Sequence, residues 1–205
     1  MLESYVVQRD RWPSSGRHIL AHFDATTVVV YQAYRPAIAD YALEHQRFGG
    51  PFKMDRMTWI KPNFLWMMYR SNWARSEGQE RVLAIYLRRE AFDDYLAQAV
   101  HSSYVSERYA TREEWKRRLK SSAVRLQWDP DHAPGGAKEE RRAIQLGLRG
   151  SAVRRYVETD VVRIEDMTPV VIAQRDRPIQ DLETPAEQVY PVAGEAAAHL
   201  GLSKV

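Results

Sequence analysis

Three short stretches of the chain concentrate the polar and aromatic side chains that could act on a ligand. Tyr31, Gln32, Tyr34 and Arg35 close an apolar run and stand just before Pro36, which presets a first helical turn. The start of a helix offers unpaired N–H groups and partial positive charge, so a phosphate can be received there. The same residues also suit a plainer role, as a core tyrosine pair whose hydroxyls are satisfied at a sheet edge. In the second stretch, Arg56, Thr58, Trp59 and Lys61 are followed by Trp66, Tyr69, Arg70 and Trp73. Tryptophans interleaved with cations can stack a base or a nicotinamide and neutralise a pyrophosphate. Trp59, Lys61, Tyr69 and Arg70 are taken as site candidates, whereas Trp66, beside Met67 and Met68, is read as core. The third stretch is the polar face of a pair of alternating segments, with Arg125, Gln127 and Gln145, where the two amides could face a ligand or satisfy each other.

Other chemistries find little support. The chain has no Walker phosphate loop, dinucleotide-binding glycine fingerprint, HExxH or nucleophile elbow. Its six histidines, at 18, 22, 45, 101, 132 and 199, are scattered, so no metal site is expected. The absence of cysteine removes disulfides and thiolate catalysis.

The elements that must position these residues follow from pattern. With 205 residues, 44% of them hydrophobic and 28% charged, the chain suits a single domain over 1–205 with one full core. No apolar run approaches the ~20 residues of a membrane span, and the N-terminus lacks a secretory pattern, so a cytoplasmic protein without membrane contact is expected. Ser14, Ser15 and Gly16 are read as closing a mobile arm, 1–16. Val28 to Tyr31 is β-branched and aromatic, a buried strand, and Ala37 to Phe48 a helix ended by Gly49, Gly50 and Pro51. Met57 to Ile60 and Val82 to Leu87 are predicted strands. The helix after Asn63 is nearly all apolar and should be sandwiched in the interior, and helices are also predicted at 91–100, 112–119 and 149–156. Val124, Leu126 and Trp128 alternate with polar residues, as do Ile144, Leu146 and Leu148, which predicts a hairpin across a long loop, 129–138. A strand at 161–164 precedes a tail, 177–205, expected to wrap the domain and end in a helix near Ala196 to Leu200.

Charge is uneven. Residues 105–156 carry 13 Lys and Arg against 7 Asp and Glu, while 157–205 carry 4 against 9. The basic segment could bind nucleic acid through counterion release, or simply form a solvated helix face.

The strings TVVVYQAYRPAIADYA, RMTWIKPNFLWMMYRSNWA, QERVLAIYLRREAF, VRLQWDP and IQLGLRG strongly resemble the domain of unknown function family 4291, over residues 18 to about 170. The order of strands and helices also looks like the ADP-ribosyltransferase fold, which implies an α+β domain with a mixed or antiparallel central sheet flanked by helices, and NAD as the cofactor. Under that resemblance Gln32 falls at the first-strand position normally His or Arg, Thr58 and Trp59 near the nicotinamide motif, and Gln145 at the late-strand position of the catalytic Glu. A neutral Gln keeps the hydrogen bond and loses the charge, a change that costs about 3 kcal/mol of transition-state stabilisation. Glu80 is then the candidate for the missing carboxylate, with Gln32 and Gln145 beside it in the catalytic set and Tyr31, Tyr34, Arg35, Thr58, Trp59, Lys61, Tyr69, Arg70 and Gln127 on the cofactor. The alternatives are a nucleotide- or nucleic-acid-binding module without catalysis, and a structural domain whose aromatics are all core.

Overall fold

The structure, a computed structural model, describes residues 1–192 and 194–204; Ala193 and Val205 of the predicted tail lie outside the described residues. The chain opens with β1 (Leu2–Ser4), α1 (Tyr5–Arg11), β2 (Gly16–Arg17), β3 (Leu20–Ala21), β4 (Thr27–Tyr34) and α2 (Pro36–His45). It continues through β5 (Thr58–Ile60), α3 (Phe64–Ser71), β6 (Arg81–Arg88), α4 (Arg89–Gln98), β7 (Val100–His101) and α5 (Arg112–Ser121). Then follow β8 (Val124–His132), β9 (Lys138–Leu148), α6 (Ser151–Arg155), a π-helical turn (Tyr156–Asp160), β10 (Val161–Asp166) and α7 (Thr168–Gln174). A 3-10 turn (Ile179–Asp181), β11 (Glu183–Pro185), β12 (Gln188–Val189) and α8 (Gly194–Leu200) complete it. This is an α+β domain.

In place of one central sheet there are two larger ones. The first is antiparallel, in the order β10-β6-β4, with β4 and β6 paired along their full length from Thr27–Arg88 to Tyr34–Arg81. The second has the order β2-β9-β8-β7, with β5 added to β9. It is mixed, since β2 and β7 run parallel to their neighbours. An antiparallel bridge between Tyr31 and Lys61 joins the sheets, with Tyr31 N–H donating to Lys61 O at 2.7 Å and Lys61 N–H to Tyr31 O at 3.3 Å.

Because β4 is a strand, its side chains alternate between faces. Val28 and Val30 enter one apolar cluster with Leu83, Ile85 and Phe48, and Val29 and Tyr31 enter a second with Phe64, Met68 and Val82. Both faces are covered, which explains why the strand is an unbroken apolar run. α3 starts where the Asn63 side chain accepts the Trp66 N–H at 2.6 Å, and Phe64, Leu65, Trp66, Met67 and Met68 are all buried, as its apolar composition predicts.

Three expectations are corrected. The N-terminal arm is built into the fold: β1 pairs with β11, and Tyr5, Gln8 and Trp12 are buried. The amide of Gln8 donates to Thr184 and accepts from Glu187 N–H, tying α1 to the tail. The loop predicted at 129–138 is mostly strand, because β8 and β9 stay paired out to His132–Lys138, with a register shift between Pro130 and His132. The predicted helix 149–156 covers α6 and then passes into the π-helical turn. In the tail β11 pairs with β1 and β12 with β3, and α8 spans Gly194–Leu200. No helix among the described residues is long and apolar enough to cross a membrane.

Candidate functional site

Where the two sheets meet, a cleft of about 770 Å³ opens beside the end of β4. Its walls come from the end of β4 and start of α2 (Gln32, Tyr34, Arg35), the segment before β5 (Phe52, Lys53, Arg56), β5 itself with Lys61, α3 (Met67, Arg70) and the hairpin face (Gln127, Gln145). Gly78 and Gln79 form part of the rim.

Gln32 is 4% exposed and acts as a brace between the sheets. Its Nε2 donates to Thr58 Oγ1 at 2.6 Å and to Trp59 O at 3.1 Å, and its Oε1 accepts from the Tyr156 hydroxyl at 2.7 Å. The π-helical turn delivers Tyr156 to this position. Tyr34, packed on the rings of Phe48 and Phe52, shares Thr58 Oγ1 at 3.1 Å, and burial drives its phenol well above the usual range.

Trp59 pairs with Gly147 across β5 and β9. A Cβ added at Gly147 would lie 3.0 Å from indole carbons of Trp59 and 2.7 Å from Met57 Sδ, so glycine is what lets the ring lie against the sheet. Gln127 and Gln145 are opposite one another in register, yet both turn to Asp129 instead of to each other. Gln127 Nε2 donates to Asp129 Oδ1 and Gln145 Nε2 to Asp129 Oδ2, each at 2.8 Å.

Charge is the dominant property of the cleft. Arg35, Lys53, Arg56, Lys61 and Arg70 line it, and no Asp or Glu does. None of these five cations makes a salt bridge with a described residue. Lys61 is 6% exposed, and burial together with the Arg70 charge pulls its ammonium down to about 8, against the opposing attraction of Asp129.

The cleft therefore brings together Gln32, Tyr34, Arg35, Thr58, Trp59, Lys61, Arg70, Gln127 and Gln145. Three other candidates lie elsewhere. Tyr31 points to the opposite face of β4, edge-on to Phe64 at 5.4 Å between ring centres, as strand alternation requires. Tyr69 is 45% exposed on the outer side of α3, stacked on His132 at 3.5 Å. Glu80 accepts the Gly78 N–H at 2.7 Å and closes a turn in the rim loop. Asp129, Tyr156 and Lys53 were not singled out as site residues. Asp129 had a signal, since it follows Gln127 by two residues on the same strand face; Tyr156 and Lys53 had none.

The cations of the basic segment are dispersed. Arg141 is buried in a pair with Asp131, Arg149 donates to the carbonyls of Leu119, Lys120 and Ser122 at the end of α5, and Arg155 pairs with Asp94 and Asp160. α5 buries no residue. No group of three or more His, Asp or Glu that could hold a metal occurs among the described residues.

The family model described as Domain of unknown function (DUF4291) matches residues 18–193. The chain belongs to the DUF4291 family. The matched span takes in every residue of the DUF4291 cleft, together with β4, β6 and the β8–β9 hairpin that carry it. No curated protein matches this DUF4291 chain.

Proposed function

We propose that the cleft binds a phosphate-bearing nucleotide, and that this nucleotide is NAD, used as the donor of an ADP-ribosyl group. One observation carries the reading: five cations without salt-bridge partners converge on a single cleft that no carboxylate lines. Clustered like charges repel and cost stability, so a site of this composition favours an anion. The donor set suits a pyrophosphate, with the guanidiniums of Arg35, Arg56 and Arg70 all in the lining and Arg70 near enough to Lys61 to depress its ammonium. Trp59 offers a flat face to a base or nicotinamide, and the cleft volume falls in the range of about 300–1,000 Å³ of small-molecule sites.

Bound NAD would supply the ADP-ribosyl group, released when the bond to nicotinamide breaks and its electron pair leaves with the ring. Asp129 does not line the cleft; it lies behind the lining amides of Gln127 and Gln145, and we assign it an electrostatic role, acting through them on the positive charge that develops on the ribose. Its two amide partners hold it in one orientation. Gln32 and Tyr156 act by positioning, fixing Thr58 and β5 against β4.

Calorimetric titration with NAD, ADP-ribose and AMP, followed by incubation with labelled NAD and protein or nucleic acid acceptors, tests this. ADP-ribose should bind, Arg70→Ala should weaken it at least tenfold, and Asp129→Asn should abolish transfer while sparing binding. Absence of binding by all three nucleotides would overturn the reading. A second reading, nucleotide binding without turnover, is favoured by the tying of both ends of the Gln32 amide, which leaves that residue no donor for a substrate. Binding with neither transfer nor NAD cleavage would select it.

A further inference from the structure

We propose that Lys61 is a nucleophilic amine that condenses with the aldehyde of a phosphorylated reducing sugar held in the cleft. The inference deepens the nucleotide reading and rests on its phosphate-binding part, because the neighbouring cations must hold the phosphate while Lys61 meets the carbonyl carbon.

The surroundings of Lys61 are those of a reactive amine and not of a structural one. Its backbone is fixed by the two-way bridge to Tyr31, so the root of the side chain does not move. The residue as a whole is 6% exposed, it lines the cleft, and it has no salt-bridge partner among the described residues. The carboxylate that could have paired with it, Asp129, has one oxygen held by Gln127 and the other by Gln145. The remaining cations of the cleft are three arginines, which do not deprotonate in proteins, and Lys53, which is exposed. With its ammonium lowered to about 8, roughly one Lys61 in ten is a free amine at pH 7, against fewer than about one in a thousand for a solvated lysine. Desolvation of a lysine in this manner is how amine nucleophiles are activated toward carbonyls.

The step is balanced without an oxidant or reductant. The Lys61 Nζ lone pair attacks C1 of the open-chain sugar, a C–N bond forms, and the carbonyl oxygen takes up the two nitrogen protons and departs as water, leaving a C=N bond. Hydrolysis reverses it. ADP-ribose and ribose 5-phosphate both carry the required pair of groups, an anionic phosphate and a latent aldehyde.

The full chain is incubated at pH 7 with ribose 5-phosphate and cyanoborohydride, which reduces the C=N bond and makes the adduct permanent; intact mass and peptide mapping then locate it. One adduct per chain, on Lys61, is expected, with ribose lacking the phosphate labelling at least tenfold less and pyrophosphate protecting. Lys61→Arg, which keeps the charge but cannot condense under these conditions, should lose the adduct while keeping the circular-dichroism spectrum of the folded chain. Labelling spread over Lys53, Lys116, Lys120, Lys138 and Lys204, or absent from Lys61 of the wild-type chain, overturns the proposal whether or not the variant folds. Nucleotide binding without Lys61 labelling sinks this inference alone, and Lys61 labelling without nucleotide binding sinks the NAD reading alone.

Discussion

Lys61 and Arg141 are buried to the same extent, each 6% exposed, and they are treated in opposite ways. Arg141 donates to Asp131 through Nε at 2.8 Å and lies 2.7 Å from it through Nη2, donates to Pro13 O at 2.6 Å, and lies over the Trp12 ring at 5.3 Å. Asp131 in turn accepts the His132 N–H at 2.8 Å. Lys61 has no salt bridge, and its like-charged neighbour Arg70 makes matters worse. Burying a charge without a partner is costly, so a fold retains one where something outside the chain completes it. The first cation holds the N-terminal arm onto the hairpin; the second has no such partner and is the one the proposed reading gives to the ligand.

Breaking the paired site should have the largest effect. Asp131→Ala leaves the Arg141 guanidinium buried without its carboxylate and should cost about 3–5 kcal/mol in urea unfolding. A loss below about 1 kcal/mol would show that the pair is not what anchors the arm.

The opposite sign is expected at the unpaired site. The folded-state value of Lys61, about 8, is below its ordinary 10.5, so the folded chain binds fewer protons between these limits and stability rises with pH across them. The penalty is complete below about pH 8 and is relieved as the pH climbs toward 10.5. Lys61→Met removes it and should stabilise the chain at pH 6 by up to about 3 kcal/mol, with the gain shrinking by pH 10. Destabilisation at pH 6 would mean that the ammonium is paired after all.

Smaller effects sharpen the boundary between the regions. Gly147→Ala should displace Trp59 and Met57, at about 1–3 kcal/mol, and weaken ADP-ribose binding in the same titration. Lys116→Gln on α5 should change stability by less than about 0.5 kcal/mol and leave that binding alone. A fall in nucleotide affinity for this last variant would relocate the anion site to the basic segment.

Much of the cleft was legible because strand ends carry their polarity in the sequence. The apolar run from Val28 breaks at Gln32, and Trp59 and Lys61 stand out in a short strand, so the walls could be named from pattern alone. Tyr31 was grouped with Gln32 and Tyr34 by nearness in sequence, although adjacent strand residues face apart, and the period of two was the stronger guide. Asp129 was passed over because Pro130 and the Gly-rich stretch after it imitate a loop, when pairing with β9 holds the segment extended to His132. The arm carries no such sign in its sequence, for a physical reason of another kind. Its seven-residue helix has no local pattern strong enough to announce it, and the buried Gln8, Trp12 and Glu187 that secure it find one another only across the whole length of the chain. The joining of two sheets by one bridge at Tyr31 and Lys61 is likewise a long-range pairing with no local sign.

A crystal structure of the chain soaked with ADP-ribose tests the contrast most directly. Phosphate oxygens are expected within hydrogen-bond distance of the Arg70 guanidinium and the ribose C1 beside Lys61 Nζ, with a flat ring of the ligand against Trp59. Lys61 found in a salt bridge with Asp129, and the nucleotide absent from the cleft or bound elsewhere, would contradict it.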